Sequence, residues 1–206
     1  MNLKIKEYKN SIDEVTKSKI ISLLREENSD SILAKLSSDN IDSFIEILVR
    51  SNKLNLFTCE LNNEVIGYAT FANKPSFLVS EFYEIKYKIF LNLLINFHFL
   101  TILNLLISIV RVDIILLNKT NKQLLESNFN LNLLAIKKEY QSKGIGKLFL
   151  EEILKKIKAQ NLILYITCET YNDRALDFYI KKCNFEKIGI KLRFFKNLHV
   201  LSKKIN

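Results

Sequence analysis

From Phe129 to Ile205 the apolar residues switch between two periods in a fixed order, and that order restricts the fold more than any other feature of the sequence. "FNLNLLAI" alternates as a strand does, Gly144 to Lys158 carries apolar residues at helical spacing, and "NLILYITCE" returns to a strand. "YNDRALDFYIKKCNF" then reads as a second helix, and "KIGIKLRFF" with "LHVLSKKI" as a closing hairpin that turns at Lys196-Asn197. The first half adds a strand from Leu3, a helix through Ile12, Val15, Ile20, Leu23 and Leu24, and a second helix capped by Asp39 or Asn40. A hairpin follows, Leu56 to Leu61 and Val65 to Phe71 around Asn62-Asn63, closed by Pro75. Helices interleaved with strands in this way predict an α/β fold, a mixed central sheet of about seven strands with flanking helices.

Between the third and fourth strands of that scheme lies an insertion, residues 74–127, with a long apolar helical stretch. From Ile89 to Leu117 it is apolar enough to raise a membrane span. Asn92, Asn96, His98, Thr101, Asn104, Ser108, Arg111 and Asp113 interrupt it, so no unbroken apolar run of spanning length survives. Helices packed on the domain or at a homodimer interface are the favoured reading. A helix lying on a membrane through 89–117 and a true span are the disfavoured ones.

With 206 residues, 48% of them hydrophobic, the chain suits a single domain over 1–206. Cys59, Cys168 and Cys183 lie in strand or helix interiors without metal-ligand spacing, and the N-terminus has no secretory apolar run. Both point to a cytoplasmic protein with reduced thiols, and with His98 and His199 the only histidines, no metal is implied. The net charge of +9 favours an anionic ligand, yet only 5 of the 31 basic residues are Arg, the usual reader of base edges, so nucleic acid is not an expected partner.

"QSKGIGKLFLEEILKK", residues 141–156, puts two of the chain's four glycines within three positions at a helix start. Bare backbone there lets a large anion reach the first unpaired N–H groups, and Lys143 adds positive charge. No Ser or Thr follows a Gly-Lys pair as in a P-loop, and the third glycine of a dinucleotide fingerprint is missing. Packing alone also explains two glycines at a helix start.

"LLAIKKEYQSKGIGKLFLEEILKKIK" resembles the coenzyme A binding motif of the GNAT superfamily, the GCN5-related N-acetyltransferases, with its Gln/Arg-x-x-Gly-x-Gly/Ala loop at Gln141 to Gly146. The family's second motif is matched by Asn172, Ala175, Phe178 and Tyr179, with Asn184-Phe185 where Gly-Phe is usual. The resemblance implies that acetyl-coenzyme A is the cofactor, its diphosphate resting on Gln141, Ser142, Lys143, Gly144, Ile145 and Gly146. It implies that the strand Leu131 to Ile136 splays from its neighbour to admit the pantetheine arm. Backbone of Leu134 and Ile136 would pair with that arm, the Leu134 N–H would serve as oxyanion donor, and Asn172 would contact the arm. Lys137 and Lys138 would either meet the phosphates or lie as solvated surface.

Acetyl transfer needs a neutral amine, whereas an alkylammonium titrates near pH 10, about three units above neutrality. The resemblance casts Tyr179 as the general acid for the leaving thiolate. For the base it fixes no residue; Glu169 is preferred, with Glu60 and His98 as other candidates. The insertion resembles that of bacterial acetyltransferases of cell-surface polysaccharide synthesis, which implies a nucleotide-linked amino sugar as acceptor. Peptide or other small amine acceptors, and a non-catalytic acyl-coenzyme A binding module, are the alternatives.

Overall fold

The structure, a computed structural model, describes residues 3–29, 31, 33–73, 114–116, 129–157, 163–170, 172–193 and 196–205. Its strands are β1 (Leu3–Tyr8), β2 (Leu54–Leu61), β3 (Glu64–Ala72), β4 (Ile114–Leu116), β5 (Phe129–Ile136), β6 (Ile163–Glu169), β7 (Glu186–Arg193) and β8 (Lys196–Lys204). They form one eight-stranded sheet in the order β1-β2-β3-β5-β6-β8-β7-β4. All neighbours are antiparallel except β5 and β6, which run parallel. The described helices are α1 (Glu14–Glu27), α2 (Ser38–Arg50), α3 (Ile145–Lys156) and the short α4 (Asp173–Asp177).

The alternation of side chains along β2 and β3 divides the core between the two faces of the sheet. Leu54, Leu56, Tyr68 and Ala72 pack with Ile20, Leu23 and Leu24 of α1 and Ile41, Ile45 and Leu48 of α2. Phe57, Cys59, Ala69 and Phe71 pack with Ile145, Phe149, Leu150 and Ile153 of α3 and with Tyr179 and Phe185. Phe149 is fully buried, a contribution of roughly 1.5–3 kcal/mol for a side chain of this size. The β2–β3 hairpin turns on Asn62 and Asn63 with φ of 50° and 65°, the left-handed pair that a tight two-residue turn requires and that Asn accommodates.

Several expectations are corrected. Helix α2 is capped by Ser37, whose extended backbone lets Oγ accept from Asn40 N–H, so Asp39 and Asn40 lie in the first turn. The last hairpin pairs Arg193 with Lys196, which places Lys196 and Asn197 in β8 and not at the turn. Strand β8 sits between β6 and β7 and is paired on both sides. The helix expected over 171–185 is instead a five-residue α-helix followed by a π-helical turn, Phe178–Lys182, closed by Cys183 N–H donating to Phe178 C=O. Asn184 then takes φ 57°, the left-handed conformation for which the resembling motif carries glycine, and Phe185 returns to the core.

Of the insertion 74–127, Ile114–Leu116 is described, and it supplies an eighth strand at the outer edge of β7, beside Ile190 to Leu192. Its expected apolar helical stretch lies otherwise outside the described residues, as do Pro75 and His98. Among the described residues no helix is long and apolar enough to cross a membrane.

Candidate functional site

Strands β5 and β6 pair only at their beginnings, Phe129 with Leu164 and Asn130 with Tyr165, and have no further ladder. From there to Ile136 and Glu169 the sheet opens into a wedge. On the far side of β5 the ladder with β3 is regular from Leu133 to Ile136. Just beyond it, Lys137 N–H donates to Ile66 C=O at 2.8 Å. Since backbone groups in an antiparallel ladder point alternately to either side, the N–H and C=O of Leu134 and Ile136 face away from β3 and into the wedge.

At the top of the wedge the chain makes a turn through Lys138–Tyr140 and enters α3. Gly144 is the helix N-cap, with φ 79° and no side chain to cap the first N–H groups. Ser142 is also left-handed, with φ 63°. A Cβ placed on Gly144 would meet nothing within 4 Å, so the space in front of the helix start is open. At Gly146 the backbone runs close to another element instead: a Cβ there would lie 3.2 Å from the Phe178 ring. Ile145 is buried beneath the turn. Positive charge flanks the opening, with Lys143 Nζ 5.6 Å from the centre of the Tyr140 ring and Arg174 Nη2 donating to Ser142 Oγ at 3.4 Å.

Lys137 is not among these cations. Its ammonium is held by Glu64 at 2.8 Å and Glu139 at 2.9 Å, and hydrogen bonding to Glu64, then Glu139, raises its pKa. Lys138 contributes its backbone, whose N–H donates to Glu27 Oε1 at 2.7 Å. Gln141 Nε2 donates both to Glu27 Oε2 at 2.8 Å and to the Ile136 carbonyl.

Tyr179 lies in the π-helical turn, 7% exposed, edge-on to Phe178 and Phe185 with ring centres 4.9 and 5.5 Å away. Burial pushes its hydroxyl well above the ordinary range, so it stays protonated at any working pH. Asn172 uses its side-chain oxygen to cap α4, accepting from Ala175 N–H at 3.0 Å. Glu169 ends β6, opposite Leu198, at the open end of the wedge. Glu60 is elsewhere: it is ion-paired to Lys6 at 2.7 Å and separated from the wedge by β3 and β5.

Two residues here escaped sequence reasoning. Glu27 carries no motif, and its partners lie 111 and 114 positions away. His199 of β8 pairs with Cys168 near the open end of β6, and its Nδ1 is buried without a hydrogen-bond partner among the described residues.

This wedge beside an uncapped helix start is the arrangement that the resemblance to the GNAT superfamily implies, and comparison with known proteins supports the fold. Residues 119–185, about a third of the chain, match the sequence profile of the Acetyltransferase (GNAT) family. An acetyltransferase from Thermus thermophilus superposes with a TM-score of 0.61 at 12% identity, over 100% of this chain and 98% of that one. A GNAT-family acetyltransferase from Streptococcus pneumoniae gives 0.55 at 17% identity, over 100% of both chains. The PaiA N-acetyltransferase from Thermoplasma acidophilum, solved with coenzyme A, gives 0.51 at 16% identity, again over 100% of both. No curated protein sequence matches the chain. The chain has the GNAT acetyltransferase fold.

Proposed function

We propose that the chain acts as one domain over residues 1–206 and transfers acetyl from acetyl-coenzyme A directly to a primary amine, that of a nucleotide-linked amino sugar. The observation that carries the proposal is the opening of β5 from β6 directly below the uncapped N-terminus of α3. A diphosphate fits this turn on two counts: the space a Gly144 side chain would fill is empty, and the helix start has N–H groups with no side-chain acceptor. An extended arm fits the wedge because Leu134 and Ile136 present strand-pairing groups to it.

Bound acetyl-coenzyme A supplies an acetyl group activated as a thioester. In this reading the backbone around Gln141, Ser142, Lys143, Gly144, Ile145 and Gly146 holds the diphosphate, with Arg174 adding charge beside Ser142. Leu134 and Ile136 align the arm, and the Leu134 N–H polarises the carbonyl under attack. The protonated Tyr179 donates to the leaving sulfur, and the same burial that raises the phenol also raises a thiolate sharing its pocket, which keeps the proton transfer feasible. Glu169 orients or deprotonates the amine at the open end of the wedge. Asn172, whose oxygen caps α4 by accepting from Ala175 N–H, contacts the arm through its amide in this reading. No acyl-enzyme is required.

The choice of acceptor is supported by the net charge of +9, which suits a second diphosphate, and by the insertion, which returns a strand to the outer edge of β7 near the open end of the sheet. The test is incubation with acetyl-coenzyme A and a panel of UDP- and dTDP-linked amino sugars, peptides and polyamines, following free thiol and product mass. One acetyl gained by one nucleotide-linked sugar is the expected result. Acetylation of peptides or polyamines alone would remove the sugar assignment and leave acetyl transfer standing.

A further inference from the structure

We infer that Glu27, the last residue of α1, is a positioning residue for the diphosphate-binding turn, an inference that rests on the coenzyme A reading of that turn. An acidic side chain facing an anion site is unfavourable by charge alone, so its place there calls for a structural reason. The reason is in its hydrogen bonds. One carboxylate oxygen accepts from the Lys138 N–H at 2.7 Å, and the other accepts from Gln141 Nε2 at 2.8 Å. The remaining Gln141 amide proton goes to the Ile136 carbonyl, one of the groups that face the wedge.

A single carboxylate thus fixes both ends of the segment Lys138 to Gln141 and, through Gln141, the open edge of β5. The anchor is itself held, because the neighbouring Asn28 closes α1 by donating from its backbone to Leu24 C=O and from Nδ2 to Tyr68 Oη at 2.9 Å on β3. The next residues, Ser142 to Gly144, include two left-handed positions and make no side-chain cap to α3. They depend on what precedes them for their direction. Helix α1 packs on the opposite face of the sheet from α3, so Glu27 ties the anion-binding turn to an element that does not otherwise belong to it.

The two obvious substitutions differ in kind. Glu27→Ala leaves the Lys138 N–H and the Gln141 amide without their acceptor. Glu27→Gln keeps an oxygen for Lys138 but sets one amide NH2 against another, unless Gln141 turns over and deserts Ile136. Affinity for coenzyme A, by calorimetry, should fall about tenfold in E27A and by less in E27Q. Affinity for pantetheine, which lacks the diphosphate and meets only the β5 edge that Gln141 steadies, should fall by less than that for coenzyme A, read by ligand-observed NMR. A role in general stability would lower both affinities together. Equal losses for the two ligands, or no loss for coenzyme A in either variant while the unsubstituted protein binds it, would overturn the inference and leave the acetyltransferase reading intact. Failure of the unsubstituted protein to bind coenzyme A would overturn both. Should E27A not fold, E27Q carries the comparison.

Discussion

Gly67 and Ile136 face each other across β3 and β5 so closely that a Cβ on Gly67 would lie 2.5 Å from Ile136 Cδ1 and 2.7 Å from the Ala135 carbonyl oxygen. The Ile136 methyl can rotate away; the backbone oxygen cannot move without shifting β5. Gly67→Ala is therefore expected to destabilise the fold by about 1–3 kcal/mol, read as a lower urea midpoint. Because β5 is one wall of the wedge, coenzyme A affinity should fall as well, and an unchanged midpoint would show that β5 yields freely at this point.

At Gly144 strain and space can be separated. Alanine at φ 79° costs about 1–2 kcal/mol, whereas asparagine tolerates that conformation. Both side chains enter the open space before α3, since nothing else lies within 4 Å. Gly144→Ala should lower both stability and coenzyme A affinity. Gly144→Asn should keep most of the stability and still lose affinity. Retained affinity in both variants would mean the diphosphate does not occupy that space.

Tyr179→Phe preserves the ring packing against Phe178 and Phe185 and removes the proton. The expected result is an unchanged coenzyme A affinity with kcat reduced by about a hundredfold or more, the usual scale for a lost general acid. Since the folded protein holds the phenol protonated well above its ordinary pKa, the unsubstituted enzyme should show no alkaline loss of activity attributable to this group up to pH about 10. Full turnover by the phenylalanine variant would end the acid assignment.

His199 makes stability depend on pH. Burial, and secondarily the charge of Lys187, lowers its pKa in the folded protein, so the unfolded chain binds the proton more readily. Its contribution is fully present above the unfolded value of about 6.5 and is lost as pH falls from there towards the folded value. Thermal unfolding measured between pH 7.5 and 5 should show this decline, and His199→Gln should reduce the slope. A slope unaltered by the substitution would assign it to other groups.

The residues that announced the fold are those whose chemistry is local. Asn62-Asn63 specified a hairpin because two left-handed residues in succession suit asparagine, and Gly144 specified a helix start for a related reason. Ser37 does not stand out in the sequence because it, Ser38, Asp39 and Asn40 can all cap, and only the backbone conformation chooses among them. Lys196-Asn197 attracts the turn because a polar pair is a stronger turn signal than Phe194-Phe195, yet the ladder puts Lys196 opposite Arg193. At the site, the turn and the wedge strand were readable from the motif. The pairing of Lys137 with Glu64, 73 positions away, and the reach of Glu27 to Gln141 were not, because nothing in local sequence records which carboxylate folds back onto which lysine or amide.

Strand β4 has a consequence for assembly. Among the described strands the sheet has two margins. One is β4, whose three residues offer too little exposed backbone to template another strand, and the other is β1, which carries Lys4 and Lys6 along its length. Among the described strands, these two features discourage sheet extension from one molecule into the next. Substitutions that loosen Ile114 to Leu116 from β7 should expose the Ile190 to Leu192 backbone that those three residues now cover.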